Sequence, residues 1–288
     1  MRRRTTVSQA VIAAVVFALA VFCLAPMLMV LMTSFATERA ITINGYTLWP
    51  SEWSGEAYRR MFNSVSRVPK AYWVTIRATL AGTFIAVVIS YCAGYTLACP
   101  QCGLRNGLAL YFYITMIFSA GLVPWYMVNR ALGLTDNIWA LIVPSLMFSP
   151  FNMYLVRNFL RGVPDSLRES GLIDGAGETR IAFMIYLPLA APVLATITLF
   201  YAIAYWNNYF NAVMLVNNAD YYPLQMLLFN IQSELSMISN MMTGVSLTPP
   251  KESFKMATSI ITIGPIILVY PFLQRYFIKG MVVGAVKG

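Results

Sequence analysis

The feature that most constrains this chain is the repetition of apolar runs long enough to cross a bilayer. Residues 11–32 form the first run, and about 20 apolar residues in a helix suffice to span the hydrocarbon core. Similar runs continue to the C-terminus, so 59% of the 288 residues are hydrophobic and only 11% are charged. This pattern excludes an ordinary soluble domain and predicts an all-α integral membrane protein.

The apolar runs predict six transmembrane helices, at residues 11–32, 73–98, 107–128, 138–154, 182–216 and 256–278. Pro144 and Pro150 shorten the fourth span. The fifth is longer than a bilayer requires, and we expect Pro188 and Pro192 to bend it. The segment 36–70 is too long for a tight hairpin, so we expect an outer loop with structure of its own.

Basic residues indicate the orientation of these spans. The net charge of +9 is spread along the chain rather than gathered into one run, which argues against a nucleic-acid partner. With both termini inside, the inner segments hold more Lys and Arg than the outer ones and are also shorter, as the positive-inside rule requires. The polar segment 157–180 is therefore predicted to lie in the cytoplasm.

That polar segment carries the signals of a short helix outside the bilayer. Pro164 and Asp165 end the preceding helix, and Ser166 with Glu169 matches a capping box. A new helix is therefore predicted to start near Ser166.

The other end of this helix combines small residues with glycines. Ser170, Gly171 and Asp174 are predicted to share a small, acidic face that suits close approach by another protein. Gly175 and Gly177 would then permit a tight corner that a residue with a Cβ resists. An ordinary cytoplasmic loop is the alternative for each feature taken singly.

Several kinds of chemistry are excluded by residues that the chain lacks. It has no histidine, no GxxxxGK[ST] loop and no carboxylate within the predicted spans. Catalysis by a Ser-His-Asp triad and binding of ATP in a P-loop are therefore excluded. Cys99 and Cys102 lack further ligands for a metal site. We predict no catalytic residue, no metal site and no cofactor in this chain, so any ATP must be held by a partner.

The fifth span combines aromatic rings with amides, at Tyr201, Tyr205, Trp206, Asn207, Asn208, Tyr209 and Asn211. Aromatic faces stack on sugar rings and amides hydrogen-bond to hydroxyls, so these side chains could form a substrate pathway for a saccharide. Hydrogen bonding between helices without a ligand explains the same residues equally well.

A family resemblance covers both the polar segment and much of the chain. Glu169, Asp174, Gly175, Ala176, Ile185, Leu187, Pro188 and Pro192 resemble the EAA loop of permease subunits in binding-protein-dependent ABC importers. Ser170 and Gly171 replace the two alanines of that motif, and both are small. From about residue 70 onward the chain is similar to the LplC-type subgroup of carbohydrate ABC permeases, through GLVP (121–124), LGLTD (132–136), WALIVP (139–144), RNF (157–159), WN (206–207), YPLQ (222–225) and YPFLQ (270–274). By this pattern the maltose importer's smaller permease and the alginate importer's second permease are relatives.

The resemblance implies a type I ABC importer permease fold with a cytosolic EAA coupling helix. The residues that the resemblance implies for coupling to the ATPase are Glu169, Ser170, Gly171, Asp174, Gly175, Ala176 and Gly177. The implied partners are a second homologous permease, two ATPase subunits that carry ATP and Mg, and an extracytoplasmic sugar-binding protein. The implied location is the bacterial inner membrane. The implied regions are an N-terminal transmembrane helix and outer loop at 1–69, the permease domain at 70–278 and a cytosolic tail at 279–288.

The implied activity is import of an oligosaccharide by alternating access, without catalysis by this chain. The basic residues Arg59, Arg60, Arg67 and Lys70 would suit an acidic sugar such as a uronide, although a solvated basic face is the ordinary alternative. Two other classes remain open. A membrane enzyme acting on a lipid-linked saccharide would need a carboxylate cluster at the membrane face, and a proton-coupled sugar carrier would need ionisable groups at midplane.

Overall fold

The structure is a computed structural model that describes residues 7–62, 67–241 and 252–267. These residues are mostly helical, with a single isolated β-bridge between Ala36 and Trp53. The helices are α1 (Val7–Ser34), α2 (Glu38–Asn44), α3 (Glu56–Met61), α4 (Val68–Ala98), α5 (Arg105–Ile117), α6 (Leu122–Ala131), α7 (Trp139–Ile142), α8 (Pro150–Leu160), α9 (Ser166–Ile173), α10 (Glu178–Leu189, π-helical over Ile181–Tyr186), α11 (Ala191–Trp206), α12 (Phe210–Leu215), α13 (Leu224–Met241) and α14 (252–267), with a 3-10 turn at Ala219–Tyr221.

The chain divides into two compact units. The first comprises Met1–Val68 and Leu228–Pro265. In it, α1 exposes apolar side chains along its length, as a helix surrounded by lipid does. The segment that follows α1 has structure of its own, as predicted: Thr37 caps α2 by accepting a hydrogen bond from Ala40 N (3.2 Å), and the Glu38 carboxylate accepts one from Glu252 N (3.0 Å) at the start of α14.

The second unit, Pro69–Leu227 with Ile266–Gly288, contains the polar segment and the fifth span. Its core packs α4 against α8, α10 and α11, with Tyr91, Ile181 and Ile197 almost fully buried. Two glycines allow α4 to approach its neighbours closely. A Cβ added at Gly94 would lie 2.8 Å from Val156 Cγ1 of α8, and one at Gly82 would meet the ring of Tyr205 in α11.

The predicted spans are only partly continuous. Among the described residues, α1 and α4 alone are long and apolar enough to cross a membrane. The third predicted span is not one helix, because α5 and α6 meet at an angle of 116°. The break contains Gly121, whose φ of +85° is a left-handed conformation that glycine adopts without steric cost.

The fourth predicted span is also interrupted. Its first part, α7, has four residues and ends before Pro144 and Ser145, and Ser145 has a φ of +64°. The second part, α8, starts at Pro150 after Ser149, whose hydroxyl caps the helix. The two prolines therefore break the helix rather than merely shorten it.

The fifth span is bent, as Pro188 and Pro192 predict: α10 and α11 differ in direction by 80°. The sixth predicted span, 256–278, coincides with α14 up to residue 267, and its remainder lies outside the described residues. The predicted tail, 279–288, lies outside them as well.

Candidate functional site

The short helix of the polar segment, α9, begins where the sequence predicts but without the predicted capping box. Ser166 is its first residue, and Asp165 occupies the N-cap position with helical backbone angles (φ −63°, ψ −23°). No side chain caps this end. A capping side chain needs an extended N-cap residue, and here the first turn continues directly from the turn at Pro164, with Leu167 N donating to Pro164 O.

A Schellman motif ends α9. Gly175 has a φ of +76°, its N–H donates to Leu172 O (3.0 Å), and the N–H of Ala176 donates to Gly171 O (2.9 Å). The predicted tight corner at Gly175 is confirmed. The same expectation for Gly177 is wrong, because its φ of −70° and ψ of 160° are open to any residue and no atom lies near its missing Cβ.

The two sides of α9 differ in what they contact. Gly171 is buried, and a Cβ there would lie 3.1 Å from Ile181 Cγ1 and from Ile185 Cδ1. The small residue therefore allows α9 to pack on the π-helical turn of its own chain. The exposed side carries Glu169, Ser170 and Asp174 together with two apolar residues that sequence reasoning missed, Leu172 (44% exposed) and Ile173 (85% exposed). Two adjacent apolar residues before the corner glycine were the available signal.

An ion pair holds α9 against α10. The guanidinium of Arg168, a buried side chain, donates from Nη2 to Glu178 Oε1, and Tyr95 Oη donates to Glu178 Oε2 (3.0 Å). The hydrogen bond from Arg168 lowers the pKa of Glu178, and the same bond raises the pKa of Arg168. Both groups are thus charged at neutral pH, and α9 is tied to α10 and to the end of α4.

In the fifth span, several of the predicted pathway side chains hydrogen-bond to the interrupted fourth span. Because α7 is so short, its last carbonyls lack helical partners. The bonds run from Tyr205 Oη to Ile142 O (2.9 Å), from Asn208 Nδ2 to Leu141 O (3.1 Å) and from Asn211 Nδ2 to Pro144 O (2.8 Å).

Tyr201 hydrogen-bonds to the backbone on the other side of the same break, at the start of α8. Its hydroxyl accepts a hydrogen bond from Ser149 N (2.9 Å) and lies 2.6 Å from Ser90 Oγ. Trp206 is also buried, with its ring centroid 6.4 Å from that of Tyr72. Tyr201, Tyr205, Asn208 and Asn211 therefore hydrogen-bond to other parts of the bundle, the alternative that the sequence left open, and Trp206 packs against Tyr72.

The remaining two predicted pathway residues, Asn207 and Tyr209, are exposed, and the side-chain oxygen of Asn207 accepts a hydrogen bond from Gln225 Nε2 (3.1 Å). Close in sequence to them, Phe210 lines an open cavity of about 640 Å³ at the bend between α5 and α6. Trp125 lines it too, with its ring centroid 5.5 Å from that of Phe210 and its indole N–H donating to Ser145 Oγ (2.8 Å). Sequence reasoning missed Trp125, although Gly121 and Pro124 mark the nearby break.

No group of three His, Cys, Asp or Glu in the described part of the chain could hold a metal ion. The geometry therefore comprises an exposed, rigidly held short helix, and an aromatic cavity beside a broken span.

Known proteins are similar to this chain in sequence and in fold. The chain matches the family described as "Binding-protein-dependent transport system inner membrane component" over residues 1–283. It is 37% identical over 271 residues to the polygalacturonan/rhamnogalacturonan transport system permease protein YtcP of Bacillus subtilis, covering 93% of this chain and 94% of that one. It is also 37% identical over 265 residues to Protein LplC of Bacillus subtilis, covering 91% of this chain and 89% of that one.

A solved structure agrees with these relatives. The fold resembles a chain in the crystal structure of a bacterial ABC transporter involved in the import of the acidic polysaccharide alginate. The TM-score is 0.83 and the sequence identity 29%, with 96% of this chain and 99% of that one covered. The fold is thus that of a type I ABC importer permease. From its sequence, its helical architecture and these relatives, the chain belongs to the family of binding-protein-dependent transport system inner membrane components.

Proposed function

We propose that this chain is a permease subunit of an ATP-driven importer that carries an oligosaccharide from an extracytoplasmic binding protein into the cytoplasm. The single observation that carries the proposal is α9, whose apolar tip at Leu172 and Ile173 is exposed while its base is fixed. An exposed apolar tip on a rigid base suits insertion into a cleft of another protein.

The proposed partner at this tip is one of two ATPase subunits that hold ATP and Mg. When nucleotide binding brings the ATPases together, α9 moves as a rigid lever, because Gly171 packs on Ile181 and Arg168 pairs with Glu178. The lever shifts the bundle between inward-open and outward-open packings, each favoured by a different nucleotide state. A second homologous permease completes the pathway. This scheme requires six spans with α9 and both termini in the cytoplasm of a bacterial cell.

We propose an acidic oligosaccharide as the substrate class. Its support is the name of the YtcP relative, a polygalacturonan/rhamnogalacturonan permease, and the alginate importer that shares the fold. The exposed guanidinium group of Arg59 agrees with a route for anions, whereas that of its neighbour Arg60 is paired with Glu56. The proposed pathway runs past Asn207 and Tyr209 and the cavity of Trp125 and Phe210, where rings can stack on a sugar.

Co-purification tests the assembly. We expect the tagged chain, extracted from its native membrane, to bring down a second permease and an ATPase, and to import sugar only with both. A membrane enzyme would convert a lipid-linked saccharide without them, and a proton-coupled carrier would transport when expressed alone. Either result would refute the proposed assembly.

Substituting the cavity tryptophan tests the pathway. Trp125→Ala removes a ring that stacks on the sugar, an interaction worth about 1.5 kcal/mol, so half-maximal uptake should require about tenfold more binding-protein-bound sugar. Basal ATP hydrolysis should stay unchanged. The matched control is Trp73→Ala, an exposed tryptophan of α4 outside the cavity. Equal uptake by both variants would remove the cavity from the pathway.

A further inference from the structure

A second cavity, of about 250 Å³, lies beside α9 and is distinct from the aromatic one. It is bounded by the end of α4, the start of α5, the end of α8 and the first turn of α9. The cavity is larger than a single water molecule requires. No residue predicted for coupling or for the substrate pathway lines it.

The lining of this cavity is strongly basic. Arg105, Arg161 and Arg168 contribute three guanidinium groups, against one carboxylate, Asp165. Within the part of the chain that the structure describes, neither Arg105 nor Arg161 forms an ion pair with a carboxylate. The N-terminus of α9 adds the positive end of a helix dipole. The cavity therefore favours an anion.

One arginine has an unused donor in the interior. The side chain of Arg168 is only 8% exposed, and its Nη2 bonds to Glu178. Its Nε is buried and has no hydrogen-bond partner among the described residues. A buried N–H of a charged group without an acceptor is unfavourable, and a guanidinium offers Nε and Nη as a fork that matches phosphate oxygens.

We propose that this cavity binds a phosphate group, with the guanidinium groups of Arg105, Arg161 and Arg168 as donors. The phosphate belongs either to the headgroup of an anionic lipid or to a soluble phosphate ion. The placement of the cavity on the cytoplasmic side rests on the proposed function, whereas the binding itself does not. Binding is therefore measured directly and independently of transport.

The experiment uses the full chain with its co-purifying subunits in detergent and two probes. Phosphatidylglycerol is titrated against phosphatidylcholine and retained lipid is measured by native mass spectrometry. Inorganic phosphate is titrated and the shift in unfolding temperature is recorded. The variants are Arg105→Gln, Arg161→Gln and Arg168→Lys, the last of which keeps a cation beside Glu178 but removes the planar set of guanidinium donors. Arg180→Gln, an exposed arginine outside the cavity, is the control.

We expect each cavity variant to weaken binding about tenfold, the loss of one charge-assisted hydrogen bond, and the control to leave it unchanged. Retention of phosphatidylglycerol alone identifies a lipid headgroup, and a shift with inorganic phosphate alone identifies a soluble ion. If neither probe binds, or if Arg180→Gln weakens binding as much as Arg161→Gln, the proposal is overturned. Loss of binding with normal uptake would separate this site from transport.

Discussion

Gly175→Pro should abolish oligosaccharide uptake by the assembled importer while leaving the chain inserted in the membrane. Gly175 has a φ of +76°, whereas the proline ring fixes φ near about −65°. Proline also lacks the N–H that donates to Leu172 O. The Schellman motif cannot form, so the tip of α9 loses its fixed direction relative to α10. The lever would then no longer transmit movement from the ATPase.

Three measurements check this outcome: sugar uptake into vesicles, ATP hydrolysis stimulated by the loaded binding protein, and the amount of chain in the membrane. We expect the first two to fall to background and the third to stay at the wild-type level. Gly175→Ala should show a partial defect, because a left-handed conformation costs a residue with a Cβ about 1–2 kcal/mol.

The matched control is Gly177→Ala, two residues away. Its backbone angles suit alanine, and a Cβ there meets no atom within 4 Å. Uptake by this variant should be normal. Normal uptake by Gly175→Pro would mean that the geometry of the corner does not matter for coupling.

The corner was predictable because its cause is local. A glycine after a short helix signals a left-handed C-terminal residue whatever the rest of the chain does. The bend of the fifth span at Pro188 and Pro192 was predictable for the same reason. The capping box was predicted wrongly, because Ser166 and Glu169 fit its sequence pattern whereas the backbone at Asp165 is helical.

The roles of the polar residues in the fifth span were not predictable from the sequence. Asn211 could face a sugar or a neighbouring helix, and only the fold places its amide on Pro144 O. Pro144 lies beyond the end of α7, and its carbonyl also accepts a hydrogen bond from Leu146 N (2.8 Å). The proline alone did not show how short α7 is. Similarly, Gly171 stands where the family motif has an alanine, but its contact with Ile185 depends on how the chain folds back.

Close approach between distant helices leaves even less trace in the sequence, and Gly82 shows this. It lies in the middle of α4, where glycine weakens a helix by about 1 kcal/mol relative to alanine. A Cβ at this position would lie 2.4 Å from Tyr205 Cζ. Sequence reasoning gave Gly82 no role, because residue 205 is 123 positions away in the chain.

Gly82→Ala should therefore strongly destabilise the protein, although alanine favours helices. The Tyr205 ring is 3% exposed and its hydroxyl donates to Ile142 O, so the ring cannot move aside without leaving that carbonyl unpaired. Overpacking costs about 1–3 kcal/mol and a buried unpaired carbonyl about as much again, so the sum is a large share of a domain's stability. Denaturant unfolding in detergent measures the change.

A double-mutant cycle assigns this destabilisation to the ring. Leucine at position 205 lacks the atoms nearest to the added Cβ, so Gly82→Ala should cost much less in a Tyr205→Leu background than in the wild type. The control is Gly107→Ala in α5, where a Cβ meets no atom within 4 Å and stability should change little. If Gly82→Ala were as stable as Gly107→Ala, the close packing of α4 on α11 would be refuted. The hydrogen bond from Tyr205 Oη to Ile142 O would then not depend on the contact between Gly82 and the Tyr205 ring.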